Sequence, residues 1–238
     1  QNVNADQFKN GNKTYKLSDL IDKLTTIRDL KRIRYTTSHP INMDDELINL
    51  HSNNKKLMPF LHLPVQSGSS KILKMMNRKY DVEFYRDIIF KIRDKSPNIE
   101  ISSDFIIGYP GESEQDFINT LDLIDDIKFT QSYSFIYSAR PGTKSAMIED
   151  NLTKKVKSER LKILQSKLTE IQHDFNKTHV GKKTSVLIEN QSTTNPEYYF
   201  GRTPYMQSVY IKSNNLINGE EKDIKITSCN HKSLYGTC

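Results

Sequence analysis

Residues 99–116 read IEISSDFIIGYPGESEQD, and the fold can be predicted outward from this stretch. Its first half is apolar and β-forming, and it ends at a Gly-Tyr-Pro-Gly turn. A carboxylate follows the turn, and an amphipathic helix is predicted to begin near Ser113. Parallel α/β proteins bind ligands where a buried strand feeds a turn at a helix start. The stretch therefore predicts an α/β fold with a nucleotide or another anion near a helix N-terminus.

The same order of strand, polar loop and helix repeats along the first 150 residues. Apolar spacing predicts strands at 32–37, 58–65, 99–107 and 131–137, and helices at 17–30, 44–51, 70–77, 82–95 and from 113 onward. Such alternation is typical of a parallel sheet with right-handed crossovers, in which the polar loops meet at one edge. Four parallel strands cannot close a barrel and leave two open edges, so we expect that a segment before residue 1 is missing.

The C-terminal third has a different pattern. Residues 153–178 have the apolar spacing of one long helix with a lysine-rich opposite face. Alternating segments at 184–189, 205–211 and 223–227 then predict a small five-stranded barrel of the oligonucleotide-binding type. We therefore predict an α/β domain at 1–150, a linking basic helix at 151–179 and a β-barrel domain at 180–238.

Charge is distributed unevenly over the 238 residues, whose net charge is +6. Residues 1–150 contain 21 basic and 21 acidic side chains, whereas residues 151–238 contain 14 basic and 8 acidic ones. The excess is compatible with an ordinary lysine-rich surface and equally with a surface that binds a polyanion such as RNA.

Cysteines and terminal segments restrict the class of protein further. The only cysteines are Cys229 and Cys238, which form neither a disulfide framework nor a spacing typical of metal ligands. No window is apolar enough for a membrane span, and the N-terminus has no signal peptide. We expect a reducing, cytoplasmic setting. Because the chain lacks an initiator Met, we expect a fragment or a cut product.

The first candidate site is the polar loop Gln66-Ser67-Gly68-Ser69. Its main-chain N–H groups, amide and hydroxyls suit a ribose, a carboxylate or a phosphate. Plain turns have the same composition, so the loop alone leaves both interpretations open.

The second candidate is the turn that ends the opening stretch. Gly108 and Gly111, with Pro110 between them, define the shape of the turn, and Gly111 lets a ligand approach the backbone. Glu112 either accepts hydrogen bonds from a ligand or favours the helix dipole. Ligand binding and a structural turn are equally compatible with these residues.

Isolated charged residues accompany these loops. Asp104 lies inside an apolar strand and needs a partner, for which a structural hydrogen bond is the simpler interpretation. Arg140 follows the last predicted strand. Either its guanidinium binds a carboxylate or a phosphate there, or Arg140 is an ordinary surface residue of a turn. His39 and His62 have no partner at metal-ligand spacing, so we predict structural histidines and no metal site. No catalytic residue can be assigned, because no nucleophile–base arrangement, Walker loop or GxGxxG motif occurs.

Candidate RNA-binding residues occur in the predicted barrel. Residues 201–210, GRTPYMQSVY, interleave a basic side chain with aromatic ones. Arg202 can pair with phosphate, and Tyr205 and Tyr210 can stack on bases. Lys182 and Lys183 add positive charge at the start of the barrel. A turn followed by a strand with one aromatic face is the alternative.

Together these segments resemble one family, the radical-SAM tRNA methylthiotransferases of the MiaB type. The resemblance rests on QNVNA at 1–5, RIRYTTSHP at 32–40, HLPVQSGS at 62–69, LKMMNR at 73–78, SSDFIIGYPGE at 102–112, YSARPGT at 137–143 and GRTPYMQSVYI at 201–211. It covers nearly the whole chain in the family's order. GRTPYMQSV favours the tRNA enzyme over a sister methylthiotransferase that acts on a ribosomal-protein aspartate. The family's usual Tyr after QNVNA is Asp6 here.

The resemblance implies a partial (βα) radical-SAM barrel followed by a TRAM β-barrel that holds tRNA. It implies methylthiolation of the N6-isopentenyl- or dimethylallyl-adenosine beside the anticodon, with S-adenosylmethionine, two 4Fe-4S clusters and an electron donor. Residues 66–69 and 108–112, with Asp104 and Arg140, would line the S-adenosylmethionine pocket, and Arg202 and the basic helix would contact tRNA.

The resemblance also implies that this chain lacks the cysteines that bind both clusters, so that alone it would be inactive. It would then be a fragment of an enzyme, a non-catalytic tRNA-binding remnant, or a part complemented by a separately encoded N-terminal half.

Overall fold

The computed structural model describes residues 2–36, 38–193, 195–213 and 215–238, without the side chain of Lys144. Gln1 and Thr37, which belong to two of the family-like segments, lie outside the described residues. The chain divides into two compact units, Gln1–Leu168 and Thr169–Cys238. Because the division falls within one long helix, the predicted boundaries at 150 and 179 stay a prediction. No helix in the described ranges is both long and apolar enough to cross a membrane.

The first unit alternates short strands with helices. Its strands are β1 (Gln7–Asn10), β2 (Lys13–Lys16), β3 (Phe60–His62), β4 (Glu100–Ser102), β5 (Asp104–Ile107) and β6 (Tyr133–Ile136). Its helices are α1 (Leu17–Thr25), α2 (Asp45–Asn53), α3 (Ser70–Met75), α4 (Val82–Lys95), α5 (Glu114–Ile127) and the first part of α6 (Lys154–Lys177). The helices predicted at 82–95 and 153–178 are confirmed to within a residue or two of their ends.

The stretch that decides the fold forms two strands instead of one. β4 pairs in parallel with β3, and β5 pairs in parallel with β6. Ser103 separates β4 from β5 because its N–H group donates to the Ser132 side chain at 2.9 Å instead of to a neighbouring strand. A parallel bridge between Gln66 and Phe105 connects the segment after β3 to β5. The predicted parallel pairing is therefore confirmed for the last three strand segments.

The strand predicted at 32–37 is wrong for the described residues. Within 32–36 only Ile33 forms a bridge, a parallel one with Leu57. Ile33 and Tyr35 are buried, whereas Arg34 and Thr36 are exposed. The alternation of apolar and polar residues in the sequence reflects this alternation of buried and exposed side chains. An extended segment has it even when it does not pair with a neighbouring strand.

An N-terminal hairpin was not predicted. β1 and β2 pair antiparallel around a turn at Gly11, whose φ is +59°. Every residue of β1 is exposed, so apolar alternation gives no signal. Asn10 pairs with Lys13, so Gly11 and Asn12 form a two-residue turn, and this Gly-Asn pair is the signal that could have found the hairpin.

The core of the first unit lies between the parallel strands and their helices. In α4, Tyr85, Ile88, Ile89 and Ile92 are buried at the spacing of one helical face. The Phe129 ring contacts the Tyr85 ring at a centroid distance of 6.3 Å and the Phe105 ring at 5.3 Å. This packing holds β5 in place beneath the candidate site.

The second unit contains a closed five-stranded barrel, as predicted. Its strands are β7 (Lys183–Gln191), β8 (Tyr198–Arg202), β9 (Ser208–Lys212), β10 (Glu221–Cys229) and β11 (Ser233–Thr237), in the order β10-β11-β9-β8-β7. Its interior is apolar and includes Val186, Ile188, Val209, Ile211, Ile224, Ile226 and Leu234.

The strand predicted at 205–211 begins later in the structure, at Ser208. The strands at 198–202 and 233–237 were not predicted. Thr203 donates its N–H to the Gln207 carbonyl at 3.1 Å, which closes a turn immediately before β9. β8 and β11 each contain one glycine, Gly201 and Gly236, which weakens their apolar alternation.

Candidate functional site

A cavity of about 450 Å³ lies beside the C-terminal parts of β5 and β6. Three of the sequence-predicted site residues, Gln66, Asp104 and Arg140, line it together. Its other lining residues are Ile106, Phe135, Ile136, Tyr137, Ser138, Thr143 and Ser145. Such a volume is within the range of small-molecule sites, and the lining combines apolar surface with a few polar groups.

The main chain brings Gln66 to β5. Its N–H donates to the Asp104 carbonyl at 3.0 Å, and its carbonyl accepts from the Ile106 N–H at 2.9 Å. Its φ is +78°, in the left-handed region that residues other than glycine rarely occupy. Such strain is found at functional sites because the surrounding structure must enforce it.

Two polar groups of the cavity have unused hydrogen-bonding capacity. The Tyr137 hydroxyl is buried and has no hydrogen-bond partner among the described residues. Within the same described ranges, the Gln66 amide makes no hydrogen bond, although the residue is only 8% exposed. Buried polar groups normally have partners, so the Tyr137 hydroxyl indicates a place for a ligand or water.

The charged residues of the cavity differ in their surroundings. The Asp104 carboxylate lies 3.6 Å from Nε2 of His62, whose Nδ1 is 2.9 Å from the Ser102 hydroxyl. His62 is therefore placed beside the site by a carboxylate 42 residues away, which the sequence could not indicate. Arg140 is exposed, and its guanidinium makes no ion pair in the part of the chain that the structure describes.

Ser67 and Gly68 do not line the cavity. The Gly68 N–H donates to Oγ1 of Thr120 at 3.0 Å, and the Ser67 hydroxyl lies 3.5 Å from the same atom. A Cβ on Gly68 would lie 2.5 Å from the Asn119 carbonyl oxygen. These residues pack the loop against α5 and leave Gln66 at the cavity.

Asp116 of α5 holds the two strand-end loops together. Its carboxylate accepts hydrogen bonds from the Ser69 hydroxyl at 2.6 Å, from the Lys71 ammonium at 2.7 Å and from the Ser113 hydroxyl at 2.7 Å. Burial alone would raise the pKa of Asp116, but these hydrogen bonds outweigh burial and hold the pKa well below its ordinary value. Ser113 also caps α5, so the carboxylate connects the 66–69 loop to the start of the helix.

The turn at 108–112 is held from behind by α6. The Glu112 carboxylate accepts from the Arg160 guanidinium at 2.7 Å and from the Gly108 N–H at 3.0 Å. Burial raises the pKa of Glu112, and the hydrogen bonds from Arg160 and Gly108 oppose that rise. Gly108, Gly111 and Glu112 are not among the residues that line the cavity, so they shape the loop beside it.

The predicted RNA-binding residues all belong to the second unit. Arg202 donates to the Met206 carbonyl at 3.1 Å, and its Nε lies 3.4 Å from the Glu189 carboxylate. The Tyr205 ring contacts the rings of Phe175 and His179 edge-on, at centroid distances of 5.6 and 5.8 Å.

Lys182 and Lys183 are exposed at the start of β7. Lys182 uses its carbonyl to accept from the Ile226 N–H at 2.9 Å.

Neither cysteine lies near the cavity-bearing strands in sequence, since both belong to the second unit. Within the described ranges, no group of three or more His, Cys, Asp or Glu side chains could hold a metal ion.

A second cavity, of about 400 Å³, is formed by the β1–β2 hairpin and α1. It contains none of the predicted site residues.

Comparisons with known proteins agree with the two-unit organisation. The family model of the radical SAM superfamily matches residues 11–124, and the TRAM domain model matches residues 177–238. The cavity lies partly within the first match, and the barrel lies within the second.

Curated relatives match the chain over nearly its whole length. The tRNA-2-methylthio-N(6)-dimethylallyladenosine synthases of Rickettsia felis and Rickettsia conorii are 51% and 50% identical over 238 residues, which is 99% of this chain. The chain spans about half the length of these relatives, 53% in each case. Among solved structures, Escherichia coli coproporphyrinogen III oxidase, a radical SAM enzyme, matches with a TM-score of 0.47 at 16% identity, over 70% of this chain and 45% of that one.

Proposed function

We propose a function for this chain on the premise that it belongs to the radical SAM methylthiotransferase family. The chain supplies the S-adenosylmethionine-binding edge and the RNA-binding barrel of an enzyme that methylthiolates the N6-dimethylallyl-adenosine beside the anticodon of tRNA. The observation that carries this proposal is the cavity at β5 and β6, where Gln66, Asp104 and Arg140 meet.

The residues of this cavity fit S-adenosylmethionine. The ligand has a carboxylate, an ammonium group, ribose hydroxyls and an adenine ring. Arg140 provides a guanidinium for the carboxylate, and Asp104 provides an acceptor for the ammonium group or the hydroxyls. The Tyr137 hydroxyl is a buried polar atom of the cavity that lacks a hydrogen-bond partner within the described residues, and the Gln66 amide is available beside it. The apolar side chains of Ile106 and Phe135 suit the adenine ring.

When bound with the iron–sulfur clusters, S-adenosylmethionine supplies the radical and methyl chemistry of the transfer. The role of the residues of this chain is to bind and orient S-adenosylmethionine. Asp116 and Arg160 hold the two loops beside the cavity, so the positions of Gln66 and Asp104 are defined before a ligand binds. The Asp104–His62 contact fixes the carboxylate on the cavity side of β5.

The residues present do not fit an iron–sulfur cluster. Clusters need several cysteine thiolates at one place, and this chain has only Cys229 and Cys238, both in the barrel unit. We therefore assign both clusters to a polypeptide segment other than these residues, and the electron donor with them. The substrate is tRNA, so we place the activity in the cytoplasm.

The experiment that tests the proposal replaces the corresponding half of the Rickettsia felis synthase with this chain. The chimera is expressed in cells without their own methylthiotransferase, and the modified adenosines of their tRNA are measured by mass spectrometry. We expect the methylthio nucleoside to be restored by the parent chimera and strongly reduced by Arg140→Met or Asp104→Asn. A soluble, cluster-loaded chimera that never forms this nucleoside would contradict the proposal.

A second candidate function is tRNA binding without chemistry. It is favoured by the cysteine content of the chain, which cannot hold the clusters. In that case the isolated chain binds tRNA in a salt-dependent manner, and the chimera forms no methylthio nucleoside. Co-purification with a cysteine-rich polypeptide would instead support an enzyme assembled from two chains.

A further inference from the structure

The outer face of the barrel carries a strip of three aromatic side chains. The strand register places Phe200 opposite Tyr210, and Tyr210 opposite Tyr235. The Phe200 and Tyr210 rings meet edge-to-face at a centroid distance of 5.5 Å. The Tyr210 and Tyr235 rings are stacked, with centroids 5.7 Å apart and planes 21° apart. All three are partly exposed, whereas their neighbours along each strand are buried.

A row of lysines runs beside this aromatic strip. Two residues further along β9 and β11 come Lys212 and Thr237, which are paired in register. Thr237 pairs with Lys225, and Lys225 pairs with Lys183. All three lysines are exposed. A step of two residues along a strand is about 7 Å, so Lys212 lies at about that distance from Tyr210. Lys225 and Lys183 continue the row on β10 and β7, beyond the strands that carry the three rings.

Arg202 borders the strip on its other side. Its guanidinium carbon lies 5.2 Å from the centre of the Phe200 ring, an arrangement that also orients that ring. Among the described residues, three acidic side chains lie near these groups. Glu189 lies near Arg202, Glu197 lies 3.5 Å from Lys212, and the exposed Asp223 lies two residues from Lys225 on β10. The Lys212–Glu197 pair is exposed, so it contributes little and a stronger anion can displace the carboxylate.

We propose that the aromatic strip and the lysine row together bind an unpaired stretch of RNA. Bases would stack on the rings of Phe200, Tyr210 and Tyr235, and phosphates would follow the lysines. An aromatic strip with a parallel row of cations is the arrangement that sequence-tolerant single-strand binding requires, because every base has a π face and every nucleotide a phosphate. A double-stranded RNA keeps its base faces stacked inside the helix and so cannot use the strip.

This inference deepens the proposed function and rests on it, since tRNA presents unpaired bases in its loops. It differs from the sequence prediction in two respects. Phe200 and Tyr235 were not predicted to bind RNA, and Tyr205, which was, packs against Phe175 and His179.

The test measures binding of the full chain to a fluorescein-labelled 12-nucleotide oligouridylate by fluorescence anisotropy. We expect Tyr210→Leu and Tyr235→Leu each to weaken binding about tenfold, because base stacking on one aromatic ring is worth roughly 1–3 kcal/mol. Tyr210→Phe retains the ring and should bind like the parent. Tyr15→Leu, in the N-terminal hairpin, is the matched control and should leave binding unchanged.

The lysine row is tested by the salt dependence of the same binding. A variant with Lys183→Gln, Lys212→Gln and Lys225→Gln removes three phosphate contacts. Each contact to a single strand contributes about 0.7 to the slope of log K against log salt, so the slope should fall by about 2. Thermal unfolding of each variant shows whether the barrel is intact, and the Tyr210→Phe result remains informative if the leucine variant unfolds.

Three outcomes would overturn this inference. The first is that folded leucine variants bind the oligonucleotide as tightly as the parent. The second is that a 12-base-pair RNA duplex competes as well as the single strand, and the third is that an acidic peptide does so. If the parent binds tRNA and the tyrosine variants bind it equally well, the aromatic strip is not the RNA-binding surface, and the proposed function stands. If the parent binds no RNA at all, both fail.

Discussion

Arg160 donates to the Glu112 carboxylate at 2.7 Å, and the two side chains are only 7% and 3% exposed. The pair joins the first part of α6 to the turn that follows β5. The same guanidinium reaches Glu114 at 2.7 Å, and Glu112 also accepts from the Gly108 N–H. The glycine turn is thus held in shape by a residue 48 positions later in the chain.

Breaking this pair from one side should destabilise the first unit strongly. Arg160→Met leaves the buried Glu112 carboxylate without its ion-pair partner, which costs roughly 3–5 kcal/mol of unfolding free energy. Glu112→Gln should cost less, because Arg160 keeps its ion pair with the exposed Glu114. Urea denaturation followed by circular dichroism measures the loss. The double variant should lose less than the sum of the two single variants, because no unpaired charge remains. Strictly additive losses would show that the two side chains do not interact.

Gly68→Ala should destabilise the loop at 66–69 by about 1–3 kcal/mol, the usual cost of overpacking. The added Cβ would lie 2.5 Å from both the Asn119 carbonyl oxygen and the Thr120 Cα. Helix backbone cannot move aside as a flexible side chain can. Gly142→Ala is a useful comparison, since open space surrounds that position and only its φ of +79° opposes the substitution. An unchanged melting temperature for Gly68→Ala would contradict the packing described here.

Asp116→Asn should cost about 2 kcal/mol near neutral pH, because it replaces charge-assisted hydrogen bonds from Ser69 and Lys71 with weaker ones. The folded-state pKa of Asp116 lies well below its ordinary value. Its contribution is therefore fully present above about pH 4 and is lost as the pH falls toward the folded-state pKa.

Unfolding free energies of the parent and Asp116→Asn, measured at pH 7 and pH 3, test this linkage. The difference between the two proteins should shrink at the lower pH. Lys71→Met removes one donor and retains the carboxylate, so it should have a smaller effect at pH 7. A difference that stays constant with pH would mean that the carboxylate gains nothing from its charge.

Glu100 should make stability fall as the pH rises. Burial raises the pKa of Glu100 to about 7, although the Arg93 charge opposes that rise. A carboxyl group whose pKa is raised on folding stabilises the fold below its unfolded-state pKa, and this contribution is lost as the pH rises through the folded-state pKa. The affected window lies between about pH 4.5 and pH 7.

Glu100→Gln should remove this dependence. Relative to the parent, the variant gains stability between pH 5 and pH 8, as measured by thermal unfolding at intervals across that range. Glu83→Gln, at a side chain that is 81% exposed, is the control and should follow the parent. A parallel pH profile for Glu100→Gln and the parent would contradict the raised pKa.

The sequence predicts those parts of the fold that depend on local pattern. α4 and α6 were predicted nearly to their ends because one apolar face repeats with helical period. The five-stranded barrel was predicted from alternation and turns, although the glycine-containing β8 and β11 were missed. The β1–β2 hairpin was missed because every residue of its two strands except the half-buried Tyr15 is exposed.

The candidate site was predictable only in part, because its geometry depends on contacts between distant residues. The polar loops after the strands identified Gln66, Asp104 and Arg140, which line one cavity. Nothing local indicates that Glu112 pairs with Arg160 or that Asp104 lies beside His62. The residue types of Ser67 and Gly68 suggested that both face a ligand. In the structure, the Ser67 hydroxyl and the Gly68 N–H contact the Thr120 hydroxyl instead.

The central claim is that the cavity at β5 and β6 binds S-adenosylmethionine, and equilibrium dialysis of the full chain against that ligand tests it most directly. We expect saturable binding of one molecule per chain, weakened about 10- to 100-fold by Arg140→Met, since a charge-assisted hydrogen bond contributes roughly 1.5–3 kcal/mol. Asp104→Asn should weaken it in the same direction, and Tyr15→Leu should not. Saturable binding that neither cavity variant alters, or no saturable binding by the folded chain, would contradict the claim.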